Sequence, residues 1–185
     1  MANEELAARL RAGDRTAYAS EVSRHRVMVM NLIFRMVGDA SVAEELAQET
    51  FINAFVALPT FQGKSKFSTW LCRIALNKSK DYLKSARVRN ERLEDQLDEG
   101  APLPDDRVRD PEARLLNKEL GASLERALSR LKVKYRELFL LKHVEGLSYE
   151  EIGEIVDLPL HTLKIRVFRA RERLAELLEE EERRK

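Results

Sequence analysis

The stretch Ser148-Tyr-Glu-Glu-Ile152-Gly-Glu-Ile155-Val156-Asp157-Leu158-Pro159-Leu-His161-Thr162-Leu163-Lys164-Ile165-Arg166-Val167-Phe-Arg169-Ala170-Arg171-Glu-Arg173 decides how the chain folds. Ser148 with Glu151 three residues later is a capping box, because each side chain satisfies the other residue's unpaired amide at a helix start. Tyr149, Ile152, Ile155 and Val156 then give a short helix its inward face. Pro159 biases the residue before it away from helical dihedrals, so Asp157-Leu158-Pro159 forms a turn. Beyond the turn, Leu163, Val167, Ala170, Leu174 and Leu177 recur as a core stripe, and Thr162, Arg166, Arg169 and Arg173 recur on another side. Two helices across such a turn make a helix-turn-helix, whose second helix enters the major groove of duplex DNA. Lys164, Arg166, Arg169, Arg171 and Arg173, with only Glu172 among them, suit phosphates and guanine edges.

Working outward, helices are predicted at 112–130 and 134–144, followed by 148–156 and 160–181, which makes the second half a four-helix domain. Before it lies an acidic segment, 88–111, with 8 acidic against 4 basic side chains. Gly100, Pro102, Pro104 and Pro111 interrupt any continuous helix there, so the segment is expected to be a flexible linker. Residues 1–87 carry 13 basic and 9 acidic side chains, and 112–185 carry 16 and 15, so the net charge of +1 conceals a local division. Phosphate responds to local charge density, so the near-neutral total does not argue against a nucleic-acid partner. The chain has 185 residues, 44% apolar, with only 7 Gly and 5 Pro, and its abundance of Ala, Leu, Glu, Arg and Lys predicts an all-α protein. One cysteine, Cys72, excludes a disulfide framework and a cysteine-built zinc site, and fits a reducing compartment. His25, His143 and His161 are too far apart in sequence to suggest a metal cluster, so no metal or cofactor is expected. No apolar run suits a signal peptide or a membrane span, which predicts a cytoplasmic protein that is not membrane-inserted.

The first half predicts four helices, at 3–12, 16–37, 40–57 and 66–86, with Gly13-Asp14, Gly38-Asp39 and Gly63 at the breaks. In the third, Ala47, Phe51, Ala54, Phe55 and Leu58 are expected to face inward, leaving Glu45, Gln48, Glu49 and Ile52 on another face. On an isolated helix those acids would be no more than a solvated surface. The fourth is expected to bury Phe67, Leu71, Ile74 and Ala75, while Trp70, Arg73, Asn77, Lys80 and Lys84 recur as a second stripe. Residues 64–87 hold seven basic side chains against Asp81 alone, a density that suits a phosphate backbone. Phe61, Phe67 and Trp70 stand beside those charges as core residues or as platforms for unpaired bases. The preceding loop, Thr60, Phe61, Gln62, Gly63, Lys64, Ser65 and Lys66, offers hydroxyl, amide and backbone groups with which one extruded base could be read.

Taken together, Glu44-Glu45-Leu-Ala-Gln48-Glu49-Thr-Phe51, Phe67-Ser-Thr-Trp70-Leu-Cys-Arg73-Ile-Ala-Leu-Asn77-Lys-Ser-Lys80-Asp-Tyr82-Leu83, Gly146-Leu-Ser-Tyr-Glu-Glu-Ile152-Gly and Thr162-Leu-Lys164-Ile-Arg166-Val-Phe-Arg169-Ala170-Arg171 resemble a bacterial RNA polymerase sigma factor of the extracytoplasmic-function (ECF) group. The resemblance covers nearly the whole chain and implies a sigma region 2 domain over 1–87, a linker over 88–111 and a sigma region 4 domain over 112–185. It implies that Glu45, Gln48, Glu49 and Ile52 dock on core RNA polymerase. The loop from Thr60 to Lys66 would capture a flipped base of the downstream (-10) promoter element, with Trp70, Arg73, Asn77, Lys80 and Lys84 along the unpaired strand. Thr162, Lys164, Ile165, Arg166, Arg169 and Arg171 would read the upstream (-35) element as duplex. An anti-sigma partner that buries these surfaces is a further expectation; a small-molecule substrate is not. The family commonly has Gly-Thr-Val-Lys-Ser-Arg where this chain has His161 to Arg166, so Ile165 replaces a hydroxyl with an apolar side chain suited to a thymine methyl. Pro59 stands where a polar residue is common. Two other classes compete. A helix-turn-helix repressor would bind duplex DNA unaided, and an enzyme would need a phosphate loop, metal spacing or nucleophile motif, none of which is present.

Overall fold

The computed structural model describes residues 2–94 and 113–183, with side chains described at 3–87 and 121–183. Most of the expected linker, from residue 95 on, lies outside the described residues. All regular elements among the described residues are helical: α1 (Ala2–Arg11), α2 (Arg15–Val37), α3 (Ala40–Ala57), α4 (Phe67–Glu94), α5 (Ala113–Arg130), α6 (Val133–Phe139), α7 (Tyr149–Val156) and α8 (Leu160–Glu182). A 3-10 turn, Leu58–Thr60, follows α3, and a π turn, Leu140–Val144, extends α6. The all-α expectation holds. The largest difference in a boundary is at α4, which runs on to Glu94 through the start of the stretch expected as linker. Nothing from Val88 to Glu94 breaks a helix; the breakers begin at Gly100.

Local chemistry sets the ends. Asp14 accepts from the Ala17 amide at 2.9 Å and Asp39 from the Val42 amide at 3.0 Å, capping α2 and α3. Gly38, at φ 81, closes α2 in the left-handed conformation that other residues adopt only with strain. The capping box of α7 is complete: Glu151 N–H donates to Ser148 Oγ at 3.1 Å and Ser148 N–H to Glu151 Oε2 at 2.9 Å.

In the first domain α2, α3 and α4 pack around Val29, Leu32, Ile33, Met36, Leu46, Leu71 and Leu76. The inward stripe of α3 is displaced from the expected one. Ala43, Leu46, Ala47, Thr50 and Ala54 are buried, whereas Phe51 is half-buried and Phe55 is 44% exposed. Small side chains let α3 lie close to its neighbours, and the buried Thr50 hydroxyl is satisfied by the Leu46 carbonyl at 2.7 Å. In the second domain Leu128, Leu138, Leu141 and Ile152 meet the α8 stripe Leu163, Val167, Ala170, Leu174 and Leu177, all buried as expected.

The two domains touch. α2 meets α5 and α6, and α4 meets α7. Arg136 of α6 is buried in the seam, where its guanidinium donates to the carbonyls of Met36, Ser129 and Leu131.

Candidate functional site

Three surfaces carry the exposed chemistry. On α3, Glu45 and Gln48 are exposed, Glu49 is half-exposed and Ile52 is 63% exposed. Their spacing places them on one stripe, and Phe55 and Val56, 44% and 74% exposed, continue it. An apolar strip edged by carboxylates is the composition of a protein-docking surface. Glu49 is also tied to α4, since Lys78 Nζ donates to its Oε2 at 2.7 Å.

The second surface is the 60–66 loop with the outer face of α4. Thr60, Gln62, Lys64 and Lys66 are exposed, and Gly63 and Ser65 are half-exposed. Phe61 is not available as a platform. It is 2% exposed, with its ring 5.4 Å from Phe67 and 5.1 Å from Trp70, so the ring holds the loop down from beneath. Phe67 is buried likewise, and Trp70 stays half-exposed at the edge of this cluster. Asn3 of α1 donates to the Gly63 carbonyl at 2.7 Å and the Ser65 carbonyl at 2.6 Å, which fixes the loop's backbone. Gly63 has φ 72, and a Cβ there would meet Ala7 Cβ at 2.8 Å, so both dihedral and space require glycine. Along α4, Arg73, Asn77 and Lys84 are exposed and Lys80 is half-exposed. Beneath them Cys72 is buried, and desolvation pushes its thiol up to about 12.

The third surface is α8. Lys164, Ile165, Arg169 and Arg171 are exposed, and Thr162 and Arg166 are half-exposed. Phe168, which sequence reasoning passed over, is 56% exposed beside them. Its position was legible, because it falls opposite the core stripe at Leu163, Val167 and Ala170. Lys142 and Lys164 both lie over the Tyr149 ring, at 4.6 and 5.9 Å, joining the start of α7 to the basic face. Arg169 and Arg173 share a cleft of about 320 Å³ with Arg130, Lys132 and Tyr135. Burial, then Arg171 and Lys142, lower the His143 pKa. No group of residues fit to hold a metal ion occurs among the described residues.

A helical domain with an exposed acidic and apolar strip and a basic loop, beside a helix-turn-helix domain, has the make-up of a DNA-binding protein of two modules. Sequence comparison agrees: residues 22–89 match the family described as Sigma-70 region 2 and residues 121–174 match Sigma-70, region 4. The RNA polymerase sigma-H factor of Pseudomonas aeruginosa is 36% identical over 182 residues, covering 96% of this chain and 94% of its own length. The ECF RNA polymerase sigma factor SigW of Bacillus subtilis is 36% identical over 178 residues, covering 91% and 92%. Among solved structures, CnrH in complex with the cytosolic domain of CnrY superimposes with a TM-score of 0.69 at 26% identity, covering 97% of this chain and 98% of that one. The chain belongs to the ECF sigma factors of the sigma-70 family, which bind core RNA polymerase and direct it to promoters.

Proposed function

We propose a division of labour among the three surfaces. Glu45, Gln48, Glu49 and Ile52 on α3 bind core polymerase, with Phe55 and Val56 extending the apolar centre of the interface. The loop Thr60–Lys66 captures one unstacked base of the downstream element, while Arg73, Asn77, Lys80 and Lys84 hold the strand beside it. Thr162, Lys164, Ile165, Arg166, Arg169 and Arg171 read the upstream duplex, and Phe168 joins them. No bond is made or broken: binding energy from duplex reading and base capture offsets an unstacking cost of a few kcal/mol. Polymerase sets the separation of the two domains, which raises the effective concentration of each DNA surface once the other is engaged. The protein acts where polymerase acts, in the cytoplasm.

The observation that carries this reading is the exposed set Lys164, Ile165, Phe168, Arg169 and Arg171 on one helix behind a fully capped α7, in the same chain as the basic 60–66 loop. An anti-sigma partner that covers the α3 strip and the α8 face belongs to the same reading; CnrH, to which this chain is similar, forms a complex with the cytosolic domain of CnrY. Purified chain, added to core polymerase on a randomised promoter library, is expected to yield transcripts from a defined subset of promoters. A transcript distribution unchanged from core polymerase alone overturns the reading. A repressor would instead bind its operator whether or not polymerase is present and leave the transcripts of core polymerase unselected.

A further inference from the structure

In the 60–66 loop, among the described residues, backbone hydrogen bonds lie only at the two ends. Phe61 N–H donates to the Leu58 carbonyl at 3.0 Å, and Trp70 N–H donates to the Lys66 carbonyl at 3.1 Å. The middle of the loop is held from outside, by α1. Asn3 Nδ2 donates to the Gly63 carbonyl at 2.7 Å and to the Ser65 carbonyl at 2.6 Å, which uses both of its protons. Asn3 is carried on a fixed element, since Ala7 and Leu10 of α1 are fully buried and the helix packs against α2 and the Leu58–Thr60 turn. In a planar trans peptide the carbonyl and the next N–H point in opposite directions, and no peptide among the described residues is cis. Drawing the Gly63 and Ser65 carbonyls toward α1 therefore turns the Lys64 and Lys66 amides away from it. Neither amide has a hydrogen-bond partner among the described residues.

We propose that Asn3 is a positioning residue for base selection: by holding two carbonyls, it presents the Lys64 and Lys66 N–H groups as a pair of donors to the edge of the extruded base. The group they read is a carbonyl oxygen or ring nitrogen of that base, met by main chain rather than by lysine charge. All four bases carry such acceptors, in different places on their edges, so two donors held at a fixed spacing choose among them and donors free to swing do not. Asn3 thus sets which base is accepted without touching it. This inference rests on the assignment of the 60–66 loop to base capture.

The test uses the full chain bound to core polymerase and single-stranded oligonucleotides of the downstream element selected from the randomised promoter library, with each of the four bases in turn at each position. At one position the native chain is expected to prefer one base over the others by about tenfold, the scale of a paired contact to a base edge. Asn3→Asp keeps the size of the side chain and removes both donors, and Asn3→Ala removes them without adding charge. In both variants the preference is expected to fall to about twofold or less, while upstream duplex affinity stays at its native value. Hydrogen exchange at the Lys64 and Lys66 amides of the native chain is expected to slow on the preferred oligonucleotide. Undiminished preference in the variants, a loss of affinity shared equally by the four bases, an equal loss at the duplex, or unchanged exchange at the two amides overturns the role of Asn3 and leaves base capture by the loop in place. A native chain that prefers no base at any position overturns the base-capture reading itself, and the role of Asn3 with it.

Discussion

The two surfaces proposed to meet DNA differ in what the fold leaves open. Helix α8, proposed to read the duplex, projects Lys164, Phe168, Arg169 and Arg171 into solvent, supported from behind by five buried aliphatic residues. The outer surface of α4, proposed to hold the unpaired strand, shows Arg73, Asn77 and Lys84, but Lys80 on it and Lys66 of the adjoining loop are paired across the domain seam. Duplex DNA is present before a promoter opens and unpaired strand exists only afterwards. The surface proposed for the duplex is open, and the surface proposed for the unpaired strand carries two lysines already in ion pairs.

Substitutions can set the two surfaces against each other. The largest effect is expected at the seam. Arg136→Ala strands three carbonyls that the buried guanidinium serves, and is expected to destabilise the chain by about 3 kcal/mol in urea unfolding. It is also expected to enlarge the radius of gyration in small-angle scattering. Phe61→Ala should cost a similar ~3 kcal/mol, because the ring is fully packed, and should weaken single-strand capture far more than duplex binding.

Arg166→Ala with Arg169→Ala is expected to cost about 2 kcal/mol of upstream duplex affinity and to flatten its salt dependence by about one unit of slope for each phosphate that is no longer neutralised. Retained affinity at moderate salt would place the groove-facing surface elsewhere. Single-strand binding by the same variant should not move, which keeps the two surfaces distinct. Reversing charge at Glu45 and Glu49 together should abolish capture of core polymerase while leaving both DNA affinities in place; an unchanged pull-down rejects the α3 assignment.

Acidity supplies a smaller test. The Glu151 pKa is lowered from its ordinary 4.5, first by the Ser148 amide and then by Lys66. A carboxylate whose folded value is depressed contributes its full stabilisation above the unfolded value and loses it as pH falls through the folded one. The Lys66 to Glu151 coupling should therefore stay constant from neutral pH down to about 4.5 and weaken below it, as read by domain separation in scattering.

Much of this was legible in the sequence because caps, glycines and apolar periodicity are local. Asp14, Gly38, Asp39 and Ser148 fixed helix ends to within a residue or so, and the α8 core stripe was complete. What failed was non-local. The inward face of α3 depends on how closely α2 and α4 approach it, so alanines rather than Phe55 won the core. Phe61 stood open between core residue and base platform, because α1 and the aromatic cluster that close around its loop come from elsewhere in the chain. Arg136 and Glu137 gave no local signal, since a charged dipeptide in an amphipathic helix looks the same whether it meets water or another domain. Asn3, sixty residues from its acceptor at Gly63, was invisible for the same reason.

The proposed division between the two surfaces is read out by fluorescence anisotropy of two oligonucleotides, the upstream duplex and the unpaired downstream strand, titrated with free chain and with chain bound to core polymerase. Free chain is predicted to bind the duplex and leave the strand nearly unbound, and the polymerase complex is predicted to bind both. Equal affinity of free and polymerase-bound chain for the unpaired strand would show that the seam does not guard Lys66 and Lys80.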